Sequence, residues 1–326
     1  MKYDFLTIGG VTEDIVFFTK EGILIDNKAD ILREKLLAFE YGAKINIKEF
    51  GHYFGGGASN SAINLSGLGF KVACLSKIGK DERGFRILEN LENNDIEHSF
   101  VEVDKRGDSG FSFIINNKKD RIIFTYRGAN DNFFISKKQE KIIKLAKWVY
   151  LTSLPVDCQG SLEKIFLNKN NIAWNPGISQ LSKGVTPIKR FLKNTEILIL
   201  NKDEALELIK KTKKFSNLKN NFLNDIKNLL KILKDFGPTK IILTDGVRGA
   251  YFFDGDNFYH QKIINNQNRI DSTGVGDAFS STVVGCLIKF NNDYKKAMYL
   301  GVKNVSSVLS FSGAQNGLLK FKELIK

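Results

Sequence analysis

Apolar and polar positions follow two periods along the chain, which predict strands and helices in turn. Apolar runs at residues 5–8, 71–75, 148–151, 196–200 and 240–244 predict strands. Patterns with helical spacing lie between several of them, at residues 61–68, 83–93, 137–146 and 221–236. Strands that alternate with helices favour a mostly parallel sheet covered on both faces. The expected fold is therefore a three-layer α/β/α sandwich, in which ligands bind beyond the carboxyl ends of the strands.

Two stretches break this alternation. Residues 15–19 and 22–25 predict one hairpin. Residues 109–115 and 121–126, joined by the polar segment 116–120, predict a second and stronger one. The hairpins could form a small second sheet, or they could be edge strands of the main sheet.

Composition excludes several functional classes. The 326-residue chain is 42% hydrophobic and 26% charged, as is ordinary for a soluble protein. The net charge of +13 comes from lysines spread along the chain, without the aromatic interleaving of a single-strand binding platform, so no nucleic-acid partner is expected. No stretch is long enough to span a bilayer, and the N-terminus lacks the apolar core of a signal peptide. Three scattered cysteines favour a reducing cytoplasm.

Known motifs of other classes are also missing from the sequence. There is no Walker A sequence, no G-x-G-x-x-G after the first strand and no cluster of cysteines and histidines. These absences argue against P-loop, dinucleotide-binding and zinc-type sites.

The most informative segment is a glycine-rich turn that leads into an apolar helix. It reads Asp271-Ser272-Thr273-Gly274-Val275-Gly276-Asp277. The glycines allow a tight turn, and backbone N–H groups at the start of a helix bind phosphate oxygens. Asp277 on the same turn could take a proton from an attacking hydroxyl, so the turn carries the minimum needed for phosphoryl transfer. The segment closely resembles the second signature of the PfkB/ribokinase family of sugar and nucleoside kinases.

A second glycine segment, Gly55-Gly56-Gly57-Ala58-Ser59-Asn60, precedes another predicted helix. The glycines let the backbone approach a small polar ligand, and an asparagine amide suits sugar hydroxyls. The segment resembles the first signature of the same family. Many sugar kinases of the family have lysine where this chain has Gly57, so we expect an unphosphorylated acceptor.

The resemblance implies further roles, in the family's order along the chain. It implies that Asp14, Gly55, Gly56, Asn60 and Arg127 bind the acceptor, that Asn201, Glu204, Thr244, Gly246, Gly249 and Asn304 lie on the nucleotide side, and that Asp271, Thr273 and Gly313 surround a monovalent cation. Glu204 is also implied to act on Mg²⁺ through water, which suits an ion that keeps most of its water ligands. Plainer interpretations stay open: a surface acid for Asp14, a helix cap for Glu204, a β-turn for 244–249 and a surface cation for Arg127.

By the same resemblance, the chain is one ribokinase-like domain over residues 1–326, with lid segments at about 14–53 and 108–127. The implied reaction transfers the γ-phosphate of ATP to a hydroxymethyl group of a small sugar, with Asp277 as general base and with Gly274, Val275 and Gly276 stabilising the phosphoryl group. Mg²⁺, K⁺ and a homodimer through the lid are further expectations. One alternative is a nucleoside kinase, with Phe111 and Phe113 stacking on the base. Another is a catalytically silent binding protein, against which the intact Asp277 argues.

Overall fold

A computed structural model describes residues 1–27, 35–116, 121–168, 170–265 and 269–326. In these ranges the strands are β1 (Tyr3–Ile8), β2 (Thr12–Phe18), β3 (Ile23–Asp26), β4 (Lys35–Ala38), β5 (Glu49–Gly55), β6 (Val72–Leu75), β7 (Lys77–Gly79), β8 (Glu102–Asp104), β9 (Phe111–Asn116), β10 (Arg121–Tyr126), β11 (Ala146–Leu151), β12 (Asn171–Trp174), β13 (Ile197–Asn201), β14 (Lys240–Thr244), β15 (Ala250–Phe253) and β16 (Phe258–Gln261). The α-helices are α1 (Gly57–Gly67), α2 (Glu82–Asn93), α3 (Lys137–Ile143), α4 (Gln159–Phe166), α5 (Ile178–Leu181), α6 (Lys189–Leu192), α7 (Lys202–Lys211), α8 (Asn220–Asn224), α9 (Ile226–Asp235), α10 (Val275–Lys289), α11 (Tyr294–Val308) and α12 (Phe321–Leu324).

The main sheet has the strand order β16-β15-β14-β13-β12-β11-β1-β6. The strands from β14 to β6 pair in parallel, and β15 and β16 add an antiparallel edge. Strand β1 shows how both faces are covered, because its successive side chains point to opposite sides. Phe5 packs with the apolar residues of α1, α10 and α11, whereas Leu6 packs with those of α4, α7 and α9. The predicted three-layer α/β architecture is confirmed.

Some helices end at other residues than the periodic patterns predict. The pattern at 221–236 predicts one helix, but the structure has α8 and α9, which are separated at Asp225. The Asp225 carboxylate accepts a hydrogen bond from Lys227 N at 2.8 Å and so caps the second helix. The pattern at 137–146 ends at Ile143, because Ala146 already belongs to β11.

A second sheet, of order β10-β9-β2-β5, stands apart from the main sheet. The predicted 109–126 hairpin is confirmed as the antiparallel pair β9–β10, although residues 117–120 of its turn lie outside the described residues. The predicted hairpin of 15–19 with 22–25 is wrong. Strand β2 pairs with β5 and β9, while β3 pairs with β4. Both edges of β2 are taken by distant segments, which a local pattern does not reveal.

The second sheet and the β3–β4 hairpin expose several large apolar side chains, among them Ile23, Leu24, Ile25, Phe50 and Phe124. The three cysteines are buried and unpaired. In the described ranges, no helix combines the length and the apolar character needed to cross a membrane.

Candidate active site

A cavity of about 350 Å³ opens between the carboxyl edge of the main sheet and the second sheet. Eight of the residues singled out in the sequence line it: Asp14, Gly56, Asn60, Arg127, Glu204, Thr273, Gly274 and Asp277. They come from β2, α1, α7, the start of α10 and the segment after β10. The fold therefore brings together in one cavity residues that the sequence spreads over more than 260 positions.

The glycine turn before α10 forms the floor of this cavity. Gly274 has the left-handed φ of 72°, and a Cβ built on it would lie 2.3 Å from the Ala314 Cβ, so the position requires glycine. A Cβ on Gly276 would meet no atom within 4 Å, which leaves its side of the turn open. The N–H groups of Val275, Gly276 and Asp277 precede the first intrahelical hydrogen bond, from Ala278 N to Gly274 O. These free donors at a helix N-terminus suit an anion.

Asp277 lies in the first turn of α10 with its carboxylate at the cavity. The Asn60 Nδ2 donates to its Oδ2 at 2.8 Å. Burial raises the pKa of Asp277 above the usual range of an aspartate, and the hydrogen bond from Asn60 acts in the opposite direction. A carboxylate with a raised pKa is a stronger base than an exposed one when it is ionised.

Asp14 stands opposite on β2, and the glycine segment makes room for it. A Cβ on Gly55 would lie 2.1 Å from Asp14 Oδ2, so Gly55 permits close contact with the carboxylate and does not itself line the cavity. Gly56 needs its positive φ of 92° to start α1. The Thr12 hydroxyl donates to Asp14 Oδ1 at 3.1 Å. Burial, with the nearby charges of Asp271 and Asp277, raises the pKa of Asp14.

Glu204 both caps a helix and faces the cavity, so the two alternatives for it are compatible. Its Oε2 accepts from Asn201 N at 2.8 Å, and the Asn201 side chain accepts from Glu204 N at 2.7 Å. Burial raises the pKa of Glu204 to about 7, and the charge of Asp277 adds to the effect. A cation beside the phosphates would favour its ionised form.

The predicted nucleotide loop lies one strand further along the same edge. The register of β13 and β14 pairs Asn201 with Thr244. Residues Gly246–Arg248 form a 3-10 turn. Gly249 has a φ of 96°, and a Cβ built on it would lie 2.2 Å from Gln261 O, so this position requires glycine. The loop is thus a tight turn at the carboxyl end of β14, and its residues do not line the cavity.

The three residues implied to surround a monovalent cation are linked by one carboxylate. Asp271 Oδ1 accepts from Thr273 N at 2.9 Å and from Thr273 Oγ1 at 2.8 Å, and its Oδ2 accepts from Gly313 N at 3.0 Å. Among the described residues, no group of three or more acids, histidines or cysteines is arranged to hold a metal. Glu204 is thus a carboxylate at the cavity outside any such group, which fits an Mg²⁺ that phosphates and water mainly coordinate.

Asn304 does not belong to the site, contrary to the sequence-based interpretation. It is fully buried, and its Nδ2 donates to Asn64 Oδ1 at 3.0 Å and to Thr282 Oγ1 at 2.8 Å. Its Oδ1 accepts from Leu319 N at 2.9 Å. With its polar atoms satisfied between α1, α10 and α11, Asn304 is a structural residue.

Phe111 and Phe113 face away from the cavity, so the proposed stacking on a base is wrong. Alternate residues of a strand point to opposite faces, and β9 presents Ser112 and Ile114 to the cavity. Phe113 stacks on Phe17 at 5.8 Å between ring centroids, and the guanidinium of Arg83 lies 4.5 Å from the Phe111 centroid.

Sequence reasoning missed residues that follow two central strands. Thr152 and Ser153 come after β11, and Asn175, Pro176 and Gly177 come after β12; all five line the cavity. The signal was available, since the carboxyl ends of parallel strands converge on the ligand site. Gln315 was also missed as a partner of Asn60, whose Oδ1 accepts from Gln315 Nε2 at 3.0 Å.

Comparisons with known proteins show the family and the fold to which this chain is similar. The sequence pattern of the pfkB family carbohydrate kinases matches residues 22–320. The chain is 24% identical over 330 residues to an ATP-dependent 6-phosphofructokinase of Thermoanaerobacterium thermosaccharolyticum, covering 96% of this chain and 90% of that protein. It is 27% identical over 289 residues to a ribokinase of Dictyostelium discoideum, covering 83% and 88%. The structure of the Methanocaldococcus jannaschii nucleoside kinase, described as an archaeal member of the ribokinase family, superposes with a TM-score of 0.76 at 21% identity, over 99% of this chain and 97% of that one. The predicted family resemblance and the ribokinase-like fold are confirmed.

Proposed function

The chain belongs to the pfkB family of carbohydrate kinases, and we propose that it transfers the γ-phosphate of ATP to a hydroxymethyl group of a small unphosphorylated sugar. One observation carries the proposal. A half-buried carboxylate, Asp277, shares a cavity with the free N–H groups of a helix N-terminus and with a second carboxylate, Asp14. The name of the phosphofructokinase relative supports ATP as the donor.

In the proposed reaction, Asp277 removes the proton of the acceptor hydroxyl as the hydroxyl oxygen forms a bond to the γ-phosphorus of ATP. The bond from the γ-phosphorus to the β–γ bridging oxygen breaks, and ADP leaves. The N–H groups of Gly274, Val275 and Gly276 stabilise the charge on the transferred phosphoryl group. Asp14, Gly56 and Asn60 hold the acceptor in line, with the Asp14 oxygens accepting from two hydroxyls. Mg²⁺ would supply neutralisation of phosphate charge, and Glu204 would hold it through water.

We propose that the nucleotide extends from the glycine turn before α10 along the carboxyl edge of the main sheet. Asn201 ends β13 and Glu204 lies in the first turn of α7, whereas Thr244 ends β14 and Gly246 and Gly249 follow it. A Cβ on Gly246 would meet no atom within 4 Å, so the backbone there can be approached closely. The second sheet acts as a lid whose closure excludes water, and its exposed apolar side chains support a homodimer through the lid.

The lid wall of the cavity favours a sugar over a nucleoside. It consists of Ser112, Ile114, Ile123 and Thr125, and among the described residues no aromatic side chain lines the cavity. Hydroxyl groups on this wall suit a polyhydroxylated acceptor, whereas a purine would gain no aromatic stacking partner there.

A screen of ATP consumption tests the proposal directly. The panel should include hexoses, pentoses, their phosphates and nucleosides, each with ATP and Mg²⁺. We expect a free sugar to give the highest kcat/KM. A protein that consumes no ATP with any acceptor would contradict the proposed activity, and a nucleoside with the highest kcat/KM would establish the alternative substrate class.

The cavity should discriminate against phosphorylated sugars. Gly57 offers no cation, and the Arg127 guanidinium is paired with the Asp131 carboxylate four residues later. We expect kcat/KM for fructose or ribose to exceed that for fructose 6-phosphate by at least tenfold, about 1.4 kcal/mol. If the phosphosugar is preferred by tenfold, the inference from Gly57 is wrong. The Arg127→Met variant would then show whether this guanidinium supplies the charge.

Activity should require Mg²⁺ and rise with K⁺. Glu204 motivates the first expectation, and the hydrogen-bonded cluster of Asp271, Thr273 and Gly313 motivates the second. Chelation of Mg²⁺ should abolish turnover. Exchange of K⁺ for a bulky organic cation at equal ionic strength should lower kcat severalfold, and an unchanged rate would remove the monovalent site from the proposal.

A further inference from the structure

Three side-chain amides form a line of hydrogen bonds that ends at Asp277. Asn90 Nδ2 donates to Gln315 Oε1 at 2.9 Å, and Gln315 Nε2 donates to Asn60 Oδ1 at 3.0 Å. Asn60 Nδ2 then donates to Asp277 Oδ2 at 2.8 Å. Asn90 lies on α2, Asn60 on α1 and Gln315 in the segment after α11, so three separate parts of the chain meet behind one carboxylate.

The direction of this line follows from the chemistry of its last member. An ionised carboxylate can only accept hydrogen bonds, so Asn60 must turn its Nδ2 toward Asp277. Its Oδ1 is then left for Gln315, which must present Nε2 and keep Oε1 for Asn90. All three amide dipoles point the same way, and each strengthens the next.

We propose that Gln315, supported by Asn90, is a positioning residue that holds Asn60 as a donor to Asp277 and so keeps the base ionised and fixed in direction. Neither Gln315 nor Asn90 lines the cavity, so each acts through Asn60. The inference rests on the proposed role of Asp277 as general base. It gives Asn60 a second task beside binding the acceptor.

The surroundings of Asp277 explain why such support is needed. Asp14 on β2, Glu204 on α7 and Asp271 before the glycine turn are acidic groups of the same site, and the buried hydroxyl of Tyr150 on β11 lies near Asp277. Arg127, a cation at the cavity, is paired with Asp131. Burial opposes ionisation of Asp277, and the amide of Asn60 is the side chain that favours it.

We call the hydrogen-bonded line of Asn90, Gln315 and Asn60 the relay. Two substitutions at Gln315 test it. Gln315→Met keeps the length of the side chain but removes the donor, which lets Asn60 rotate. Gln315→Glu puts an acceptor where the donor was, so Asn60 is expected to turn Nδ2 toward residue 315 and Oδ1 toward Asp277. Asn316→Ala is the matched control, because Asn316 lies in the same segment and bonds only locally, from its Nδ2 to Ser312 O at 2.7 Å.

The main readout is the pH profile of kcat with the best acceptor from the screen. A raised pKa of the base leaves less of it ionised at a given pH, so activity is lost on the acidic side and recovered as pH rises. We expect the acidic limb to move up by about one pH unit in Gln315→Met and further in Gln315→Glu, with kcat at the midpoint of the wild-type limb lowered by about fivefold in Gln315→Met. KM for ATP should change less than twofold, and Asn316→Ala should match the wild type.

A carboxyl ¹³C titration gives the same answer without turnover, with the Asp277 resonance assigned by its loss in Asp277→Asn. Gln315→Met should raise the titration midpoint by about one unit. An unchanged midpoint overturns the relay even if the enzyme is a sugar kinase. A fall in kcat that is equal at every pH, with a lowered Tm, overturns it too, since that marks a structural role alone. A shifted midpoint in a protein without kinase activity would support the relay and sink the proposed function.

Discussion

Replacing Asp277 with asparagine is expected to lower kcat by roughly 10²–10⁴-fold while ATP still binds. The substitution keeps the size of the side chain and its ability to accept from Asn60 Nδ2, so the contact at 2.8 Å can persist. What it removes is the capacity to take the hydroxyl proton. The start of α10 is unchanged, and with it the N–H groups that we expect to hold the phosphates.

Steady-state kinetics and calorimetric titration with nucleotide separate the two effects. Asp293→Asn is a suitable control, because Asp293 also lies at a helix start, where its carboxylate accepts from Lys296 N at 3.0 Å away from the cavity. The control should keep full turnover. A near-wild-type kcat in Asp277→Asn would show that another group is the base.

Replacing Asp14 with alanine should lower kcat/KM for the acceptor by about 10²–10⁴-fold. Hydrogen bonds to a charged group contribute about 1.5–3 kcal/mol each, and the proposed contact supplies two. The affinity for ATP should change little, because Asp14 belongs to the second sheet and the proposed nucleotide site lies along the main one.

Asp26→Ala is the matched control for this variant, since Asp26 is an exposed acid on β3, which pairs with β4 outside the second sheet. Product formation over a range of acceptor concentrations, with thermal unfolding as a check of folding, makes the comparison. If Asp14→Ala alters the KM for ATP and leaves that for the acceptor unchanged, the acceptor side of the site has been placed wrongly.

Much of the candidate site around Asp277 is predictable from the sequence, because the residues that indicate it lie close together along the chain. Gly274 and Asp277 lie within one turn of a helix whose apolar spacing is evident, so backbone donors and a carboxylate must share that turn. Asn201 and Glu204 are three residues apart, which fixes both their reciprocal capping and their place after a strand. Parallel pairing follows from the alternation of strands with helices.

The sequence-based predictions that are wrong concern contacts between segments that are distant along the chain. The partners of β2 are β5 and β9, which no spacing within residues 15–25 indicates. Phe111 and Phe113 were correctly placed in a strand, but which face meets the cavity is decided by the packing of the whole lid. Asn304 was assigned by its order along the chain, yet its neighbours Asn64 and Thr282 come from two other helices.

The buried polar contacts of Asn304 have a consequence for how the cavity can change shape. Apolar surfaces can pack in several similar ways, but a slide of α11 by one turn, about 5.4 Å, would leave the amide of Asn304 and the Oδ1 of Asn64 without hydrogen-bond partners. Each unsatisfied group costs about 1–3 kcal/mol, so one alignment of α1, α10 and α11 is strongly selected. The two glycine turns lie at the starts of α1 and α10. The distance between these turns is therefore fixed by the helix packing before a ligand binds. Adjustment to different acceptors would then fall to the second sheet, which we propose to be a lid.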